Sequence, residues 1–175
     1  FISNGVNLEL FSNIKTKLEN QKEFTVSYLG SHGRSNGLNS LIDAMKIIDT
    51  DKNSTKLIKL HLVGDGPLKS SLIQQAKKFN LSNIYFHDPI NKSELGSLVD
   101  NTDCFIILVP SLPQLYKYGI SMNKIFDYLA CKRPIIITTD YVFNPIHESG
   151  AGFSIVPNDS EKLAESIIEL SSISH

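Results

Sequence analysis

The sequence predicts an α/β fold, a doubly wound parallel sheet with a Rossmann-like arrangement of helices on both faces. Three observations carry that prediction. Short apolar runs alternate with amphipathic stretches along the whole chain. Gly- or Pro-bearing turns stand where the early runs end. Strand and helix signals alternate one for one, which makes the strands parallel and the crossovers right-handed.

The elements follow in order. Residues 24–29 read as a strand, and a Gly-rich loop follows. Leu38, Leu41, Ile42, Met45 and Ile48 then recur at helical spacing. A strand over 57–63 ends at Gly64-Asp65-Gly66-Pro67. Pro67 suits the first turn of the next helix, whose buried side carries Leu68, Leu72, Ile73, Ala76 and Phe79. A short strand covers 84–86. Asn91-Lys92-Ser93-Glu94 has the form of a capping box before Leu95, Leu98 and Val99. Residues 104–109 are a buried strand, and a Pro-rich loop occupies 110–119. A helix is expected over 122–131, a strand over 134–138 and another over 153–156. Asn158-Asp159-Ser160-Glu161 caps a last helix carrying Leu163, Ile167, Ile168 and Leu170.

Length and composition bound the function. The chain has 175 residues, 41% of them apolar, enough for one substantial core. Net charge is −1 with acids and bases mixed, which gives no footprint for nucleic acid. No apolar run is long enough to span a bilayer, and no signal peptide is visible. Phe1 is not a natural start, so an upstream portion is expected. Cys104 and Cys131 sit inside apolar runs and read as reduced core residues, which suits a cytoplasmic protein. No acidic pair or His–carboxylate cluster has metal-ligand spacing, so no metal and no cofactor are expected.

Parallel α/β sheets bind ligands beyond the carboxyl ends of their strands. Four unusual loops lie at those ends: 30–37, 64–67, 87–89 and 110–121. The last leads into Tyr118-Gly119-Ile120-Ser121-Met122-Asn123-Lys124-Ile125-Phe126-Asp127-Tyr128. Ser121 is a good N-cap, so the N–H groups of Met122 and Asn123 would leave the helix start unbonded. Those donors, the helix dipole and the Lys124 ammonium would converge on an anion such as a diphosphate. Asn123, Lys124 and Asp127 share a face, while Ile125, Phe126 and Leu129 face the core. A carboxylate one turn past a phosphate site can accept hydrogen bonds from ribose hydroxyls. A plain capped helix with a solvated Lys–Asp pair fits the same residues equally well.

That segment resembles the Ser-Pro-Asn-Lys-x-x-Glu/Asp-Tyr signature of bacterial retaining glycosyltransferases with the GT-B fold, in the large family four. The resemblance covers nearly the whole chain, and the family includes the amino-sugar transferases of capsule and O-antigen assembly. Ile2-Ser3-Asn4-Gly5-Val6-Asn7 with Phe11 is similar to the connector between the two GT-B domains. Tyr28-Leu29-Gly30 through Gly37-Leu38, Val63-Gly64-Asp65-Gly66-Pro67, and 150–159 are similar to three further family segments, in order. It implies residues 1–12 as interdomain connector and 13–175 as the nucleotide-sugar-binding domain, with the N-terminal acceptor domain missing.

The resemblance also implies roles. Gly33 and Arg34 would approach the diphosphate, Arg34 compensating for Ser31 and Asn36 where relatives often carry Arg and Lys. Lys124 would join Arg34 in stabilising the leaving group. Ser121, Met122 and Asn123 would supply N–H donors, Asp127 would hold ribose, and His87 would lie by the nucleobase. Gly64, Asp65 and Gly66 are ligand contacts or simply a strand-to-helix turn. Lys69 reads as a solvated helix residue, His61 as structural, and His32 as no ligand contact. The first of the family's paired glutamates falls on Gly119 or near Tyr118, as is common in the Ser-Asn-Lys subgroup. The implied partners are a UDP-sugar, the missing domain, and a glycan or lipid-linked acceptor. The implied location is the cytoplasm, with the full-length enzyme a candidate for the cytoplasmic face of the inner membrane.

A non-catalytic nucleotide-binding or signalling module of the same fold is the alternative, and a GT-B sugar epimerase shares the architecture. A Rossmann dehydrogenase is disfavoured, because Gly30, Gly33 and Gly37 do not make Gly-x-Gly-x-x-Gly.

Overall fold

The computed structural model describes residues 5–12, 14, 22–51, 55–91, 94–111, 114, 120, 122–141 and 144–173. Strands β1 (Glu23–Leu29), β2 (Leu57–Val63), β3 (Ile84–His87), β4 (Cys104–Leu108), β5 (Ile135–Thr138) and β6 (Gly152–Ile155) form one all-parallel sheet. Helices α1 (Leu38–Thr50), α2 (Lys69–Lys78), α3 (Leu95–Asp100), α4 (Asn123–Ala130), α5 (Pro145–Ser149) and α6 (Ser160–Ser172) flank it. Strand order is β3-β2-β1-β4-β5-β6. The chain builds outward from β1 in one direction and from β4 in the other, so a crevice opens beyond the carboxyl ends of these two strands.

The strand pleat divides the interior into two cores. On β4, Cys104, Ile106 and Leu108 enter the first, while Phe105 and Ile107 enter the second. The first core also takes Val26 and Tyr28 of β1, Leu41 and Met45 of α1, and Leu163 and Ile167 of α6. The second takes Val99 of α3, Ile125 and Tyr128 of α4, and Ile146 of α5. Each such Leu or Ile contributes about 1.5–3 kcal/mol on burial. Cys104 and Cys131 are buried on opposite faces, one in each core.

The second core draws strand residues from β4, β5 and the end of β1, and none from β2 or β3. β2 shows why: Ile58, Leu60 and Leu62 enter the first core, leaving Lys59 and His61 to face the other way. These residues border a groove of about 870 Å³ on the open half of the second face.

Every expected strand agrees with the observed one to within a residue at each end. Asp159 caps α6, its carboxylate accepting from the Lys162 N–H at 2.8 Å. Of the expected capping box, the Glu94 carboxylate accepts from the Asn91 N–H at 2.8 Å; Lys92 and Ser93 lie outside the described residues. Several expectations need correction. α2 starts at Lys69, not at Pro67, because Gly66 to Leu68 form a turn closed by Lys69 N–H on the Gly66 carbonyl at 3.0 Å. Ile73 stays half-buried, since α2 turns Leu72 and Ala76 to the core. Phe126 joins neither core, and Tyr128 takes the buried place instead. α5 was not expected at all; it is five residues long, capped by Asn144 with Pro145 at its start. Of the connector, residues 1–4 lie outside the described residues. Leu8–Phe11 form a 3-10 helix capped by Asn7, and Phe11 is buried in the second core.

Candidate functional site

Backbone hydrogen bonds clasp three of the four loops at the carboxyl edge. Gly30 N–H donates to the Val63 carbonyl at 3.0 Å, His32 N–H to Asp65 at 2.8 Å, Leu68 N–H to His32 at 3.0 Å, and Gly64 N–H to His87 at 3.2 Å. So close an approach needs residues without a side chain. Gly64 and Gly66 have φ of +145° and +153°. A Cβ on Gly64 would overlap the Gly30 carbonyl oxygen, and one on Gly66 would stand 2.8 Å from the His32 backbone. The Gly64-Asp65-Gly66 turn is therefore a loop-packing device in its own right.

Lys69 locks the clasp. Its Nζ donates to the Gly64 carbonyl at 3.1 Å, the His87 carbonyl at 3.1 Å and Asp88 Oδ1 at 2.8 Å. The expectation of a solvated lysine fails, because the first turn of α2 points this side chain back at the ends of β2 and β3. The hydrogen bond from Lys69 holds the Asp88 carboxyl below the usual carboxylate range.

α4 delivers Lys124 to the crevice. Its entry residue is Met122, extended (φ −102°, ψ 124°) with no side-chain cap, and packed against the second core. The helix starts one residue later than expected, at Asn123, because apolar packing of Met122 sets its entry. Ser121, Tyr118 and Gly119 lie outside the described residues. One turn on, the Tyr128 hydroxyl donates to the Leu29 carbonyl and accepts from the Leu29 N–H, both at 3.2 Å. The Tyr128 ring stacks on Phe105 at 4.3 Å between centroids. This pins α4 to the end of β1, and Lys124, four residues before Tyr128, lies on the same helix face.

The Lys124 ammonium consequently reaches across β1 to the Tyr28 ring, 5.2 Å from its centroid. A Cβ on Gly30 would stand 3.2 Å from Lys124 Nζ and 3.3 Å from the Tyr28 hydroxyl, so the three bound one small space. Burial pulls the Lys124 pKa below the ordinary lysine value. Among the described residues no carboxylate pairs with it, Asp127 included. Burial also pushes the Tyr28 phenol up to about 12. That hydroxyl donates to the Ser31 carbonyl at 2.9 Å, and Asn36 Nδ2 donates to the same oxygen at 2.6 Å. Asn36 thus shapes the first loop.

The other expected residues are spread around this point. Arg34 is exposed on a 3-10 turn and borders a cavity of about 170 Å³ with Asn36, Leu108, Pro110, Thr138 and Asn158. Gly33 is extended at φ −87°, with Ser31 Oγ 3.4 Å from where a Cβ would stand, so its backbone does not demand glycine. Asn123 is exposed and Asp127 half-buried on α4. The His87 imidazole turns away from this edge, onto the open face beside His61; only its backbone carbonyl joins the clasp. His32 is fully buried, its two ring nitrogens have no hydrogen-bond partner among the described residues, and burial lowers its pKa.

The family model for glycosyl transferases group 1 matches residues 23–172. The chain belongs to this family. No curated protein matches the chain. Among solved structures, this group 1 chain is similar to the C-terminal domain of LpcC, a group 1 glycosyl transferase from Francisella tularensis. Identity is 18%, 97% of this chain and 89% of that one are covered, and the TM-score is 0.73. It is similar to the lipopolysaccharide outer core galactosyltransferase WaaB in its apo form at 13% identity, covering 97% and 45%, with a TM-score of 0.71. It is similar to HepE of Anabaena in complex with UDP-glucose at 17% identity, covering 96% and 46%, with a TM-score of 0.67. At these identities the likeness is one of fold, that of GT-B C-terminal domains. The chain spans 31% of TarM from S. aureus and under half of WaaB and HepE. Among the described residues no helix is long and apolar enough to cross a membrane.

Within this transferase chain, Lys124, the first loop and the Gly64–Gly66 turn meet at the crevice. Tyr28 and Tyr128 belong to the site and were missed. Each is a tyrosine in an apolar run, and a buried hydroxyl that needs a partner was the available signal.

Proposed function

We propose that this chain is the donor-binding half of a retaining glycosyltransferase that uses a UDP-sugar, preferably an amino sugar. Its acceptor is a growing surface polysaccharide or a lipid-linked glycan, held by a partner domain. The observation that carries this reading is Lys124: a half-buried ammonium at the crevice with no carboxylate partner among the described residues. A cation so held is stabilised by an anion entering between it and the helix start.

Departure of UDP builds negative charge on the β-phosphate. Lys124 and the N–H groups at the start of α4 stabilise that charge without reorganising water, and Arg34 adds a second cation from the first loop. Asp127 accepts hydrogen bonds from ribose. The leaving phosphate takes the acceptor proton, so no separate general base is required of this half. The chemistry needs no metal. UDP-glucose in the HepE complex, and UDP with alpha-GlcNAc-glycerol in the TarM complex, support the donor class. The full-length enzyme works in the cytoplasm or on the inner face of the membrane.

Calorimetric titration with UDP, ADP and GDP tests the reading. UDP is expected to bind most tightly; equal affinity for all three, or for none, rules out a uridine-selective donor site.

A further inference from the structure

Away from the donor edge, the open half of the second face holds two imidazoles in contact. His61 is on β2 and His87 ends β3, and both turn their rings to the groove. His61 Nδ1 and His87 Nε2 are 3.2 Å apart. The ring centroids are 4.9 Å apart and the planes meet at 28°.

Those two distances bear on two arrangements. A head-to-head N–H···N bond of this length sets the centroids about 5.5 Å apart, since each lies roughly 1.15 Å behind its nitrogen. Two imidazoles on one ion, with bonds of about 2.0–2.1 Å and angles from square to tetrahedral, have nitrogens about 2.9–3.4 Å apart. Their centroids are then about 4.5–5.2 Å apart. Both observed separations fall inside these windows; a linear hydrogen bond would set the centroids farther apart, whereas a bent one between stacked rings also fits them.

We propose that His61 and His87 form a two-histidine site for a borderline divalent ion, zinc foremost. Neutral imidazole favours Zn²⁺, Ni²⁺ and Cu²⁺ over Mg²⁺ and Ca²⁺. Among the described residues no cluster of three or more His, Cys, Asp or Glu forms, so water completes the coordination. The groove of about 870 Å³ has room for it. Both ligands sit on paired strands, which fixes their spacing before the ion arrives. The neighbouring cation, Lys59, is balanced by Glu23 at 2.6 Å. Tyr85 packs on the far side of the pair, its ring 5.0 Å from that of His61. The site's groove lies on the sheet face, and Lys124 is not among the residues that line it.

The test is calorimetric titration of the metal-stripped chain with ZnCl₂, alongside zinc-edge X-ray absorption of the wild-type complex. One ion per chain and two imidazole ligands are expected. His61→Gln and His87→Gln should each weaken zinc roughly tenfold or more. Fewer than two imidazoles in the absorption spectrum overturns the site without recourse to any variant. So does undiminished zinc affinity in either folded variant, or no binding by the wild type, which leaves a hydrogen-bonded histidine pair only.

Discussion

The Lys124 ammonium lies 5.2 Å from the centroid of the Tyr28 ring, across the end of β1. A cation–π contact of this kind returns about 0.5–2 kcal/mol. Desolvating an unpaired ammonium costs several kcal/mol. The free chain therefore holds this charge at a net loss, which an incoming anion reverses.

Lys124→Met and Asp127→Ala should weaken nucleotide binding by separable routes. Loss of Lys124 should cost UDP about 1.5–3 kcal/mol, roughly ten- to a hundredfold, and leave uridine almost unchanged. Loss of Asp127 should weaken UDP and uridine alike, and 2′-deoxyuridine should then lose little more. Calorimetry on the four combinations reads this directly. Wild-type affinities in both variants would mean that α4 is no more than a packed helix.

The same lysine predicts opposite pH trends for binding and stability. Its folded pKa lies below the ordinary lysine value, so UDP affinity should fall on raising pH before a free lysine would titrate. In that window the unfolded chain binds the extra proton, so the lysine's contribution to unfolding free energy rises with pH. Urea midpoints followed as pH rises towards the ordinary lysine value should carry this slope in the wild type and lose it in Lys124→Met.

Lys69→Met should destabilise the chain by about 1.5–3 kcal/mol, because two carbonyls at the ends of β2 and β3 lose a charged donor. Asp88→Asn should do far less, since its carboxylate is exposed. The Asp88 pKa is depressed, so its small contribution is present at neutral pH and disappears as pH falls through the lowered value. Chemical denaturation of both variants separates the clasp from the ion pair.

Gly64→Ala and Gly33→Ala offer a paired test of the loop geometry. The first places a methyl on the Gly30 carbonyl at φ +145° and should prevent stable folding. The second meets only ordinary contacts and should shift stability by less than about 0.5 kcal/mol. Comparable melting temperatures for the two would contradict the close approach of these loops.

The 175-residue chain alone should give no glycosyl transfer in the presence of UDP-sugar and acceptor. On the proposed function, acceptor positioning and exclusion of water fall to a partner domain. Product formed by the purified chain would show that it carries its own acceptor site.

How much of this could be read in advance depended on distance along the chain. β2 was legible to the residue, since Ile58, Leu60 and Leu62 alternate with Lys59 and His61. Asp159 was legible as a cap because its partner, Lys162, is three residues on. Lys69 was misread because its acceptors are backbone carbonyls, one of them on another strand, which side-chain patterns do not record. The contact of Lys124 with Tyr28 was hidden for a related reason: it exists only once β1 and β4 lie side by side. His87 was expected at the site edge from its place at a strand end; the pleat turns its ring to the face with His61 and leaves its carbonyl at the edge.

The backbone clasp also limits how this domain can be re-engineered. Gly30, His32, Gly64 and Leu68 exchange hydrogen bonds across loops, so lengthening or grafting one loop alone would break its neighbours' bonds as well. A transplant from another transferase would have to carry residues 30–37, 64–69 and 87–88 together. Among the described residues the clasp does not extend to the loop after β4.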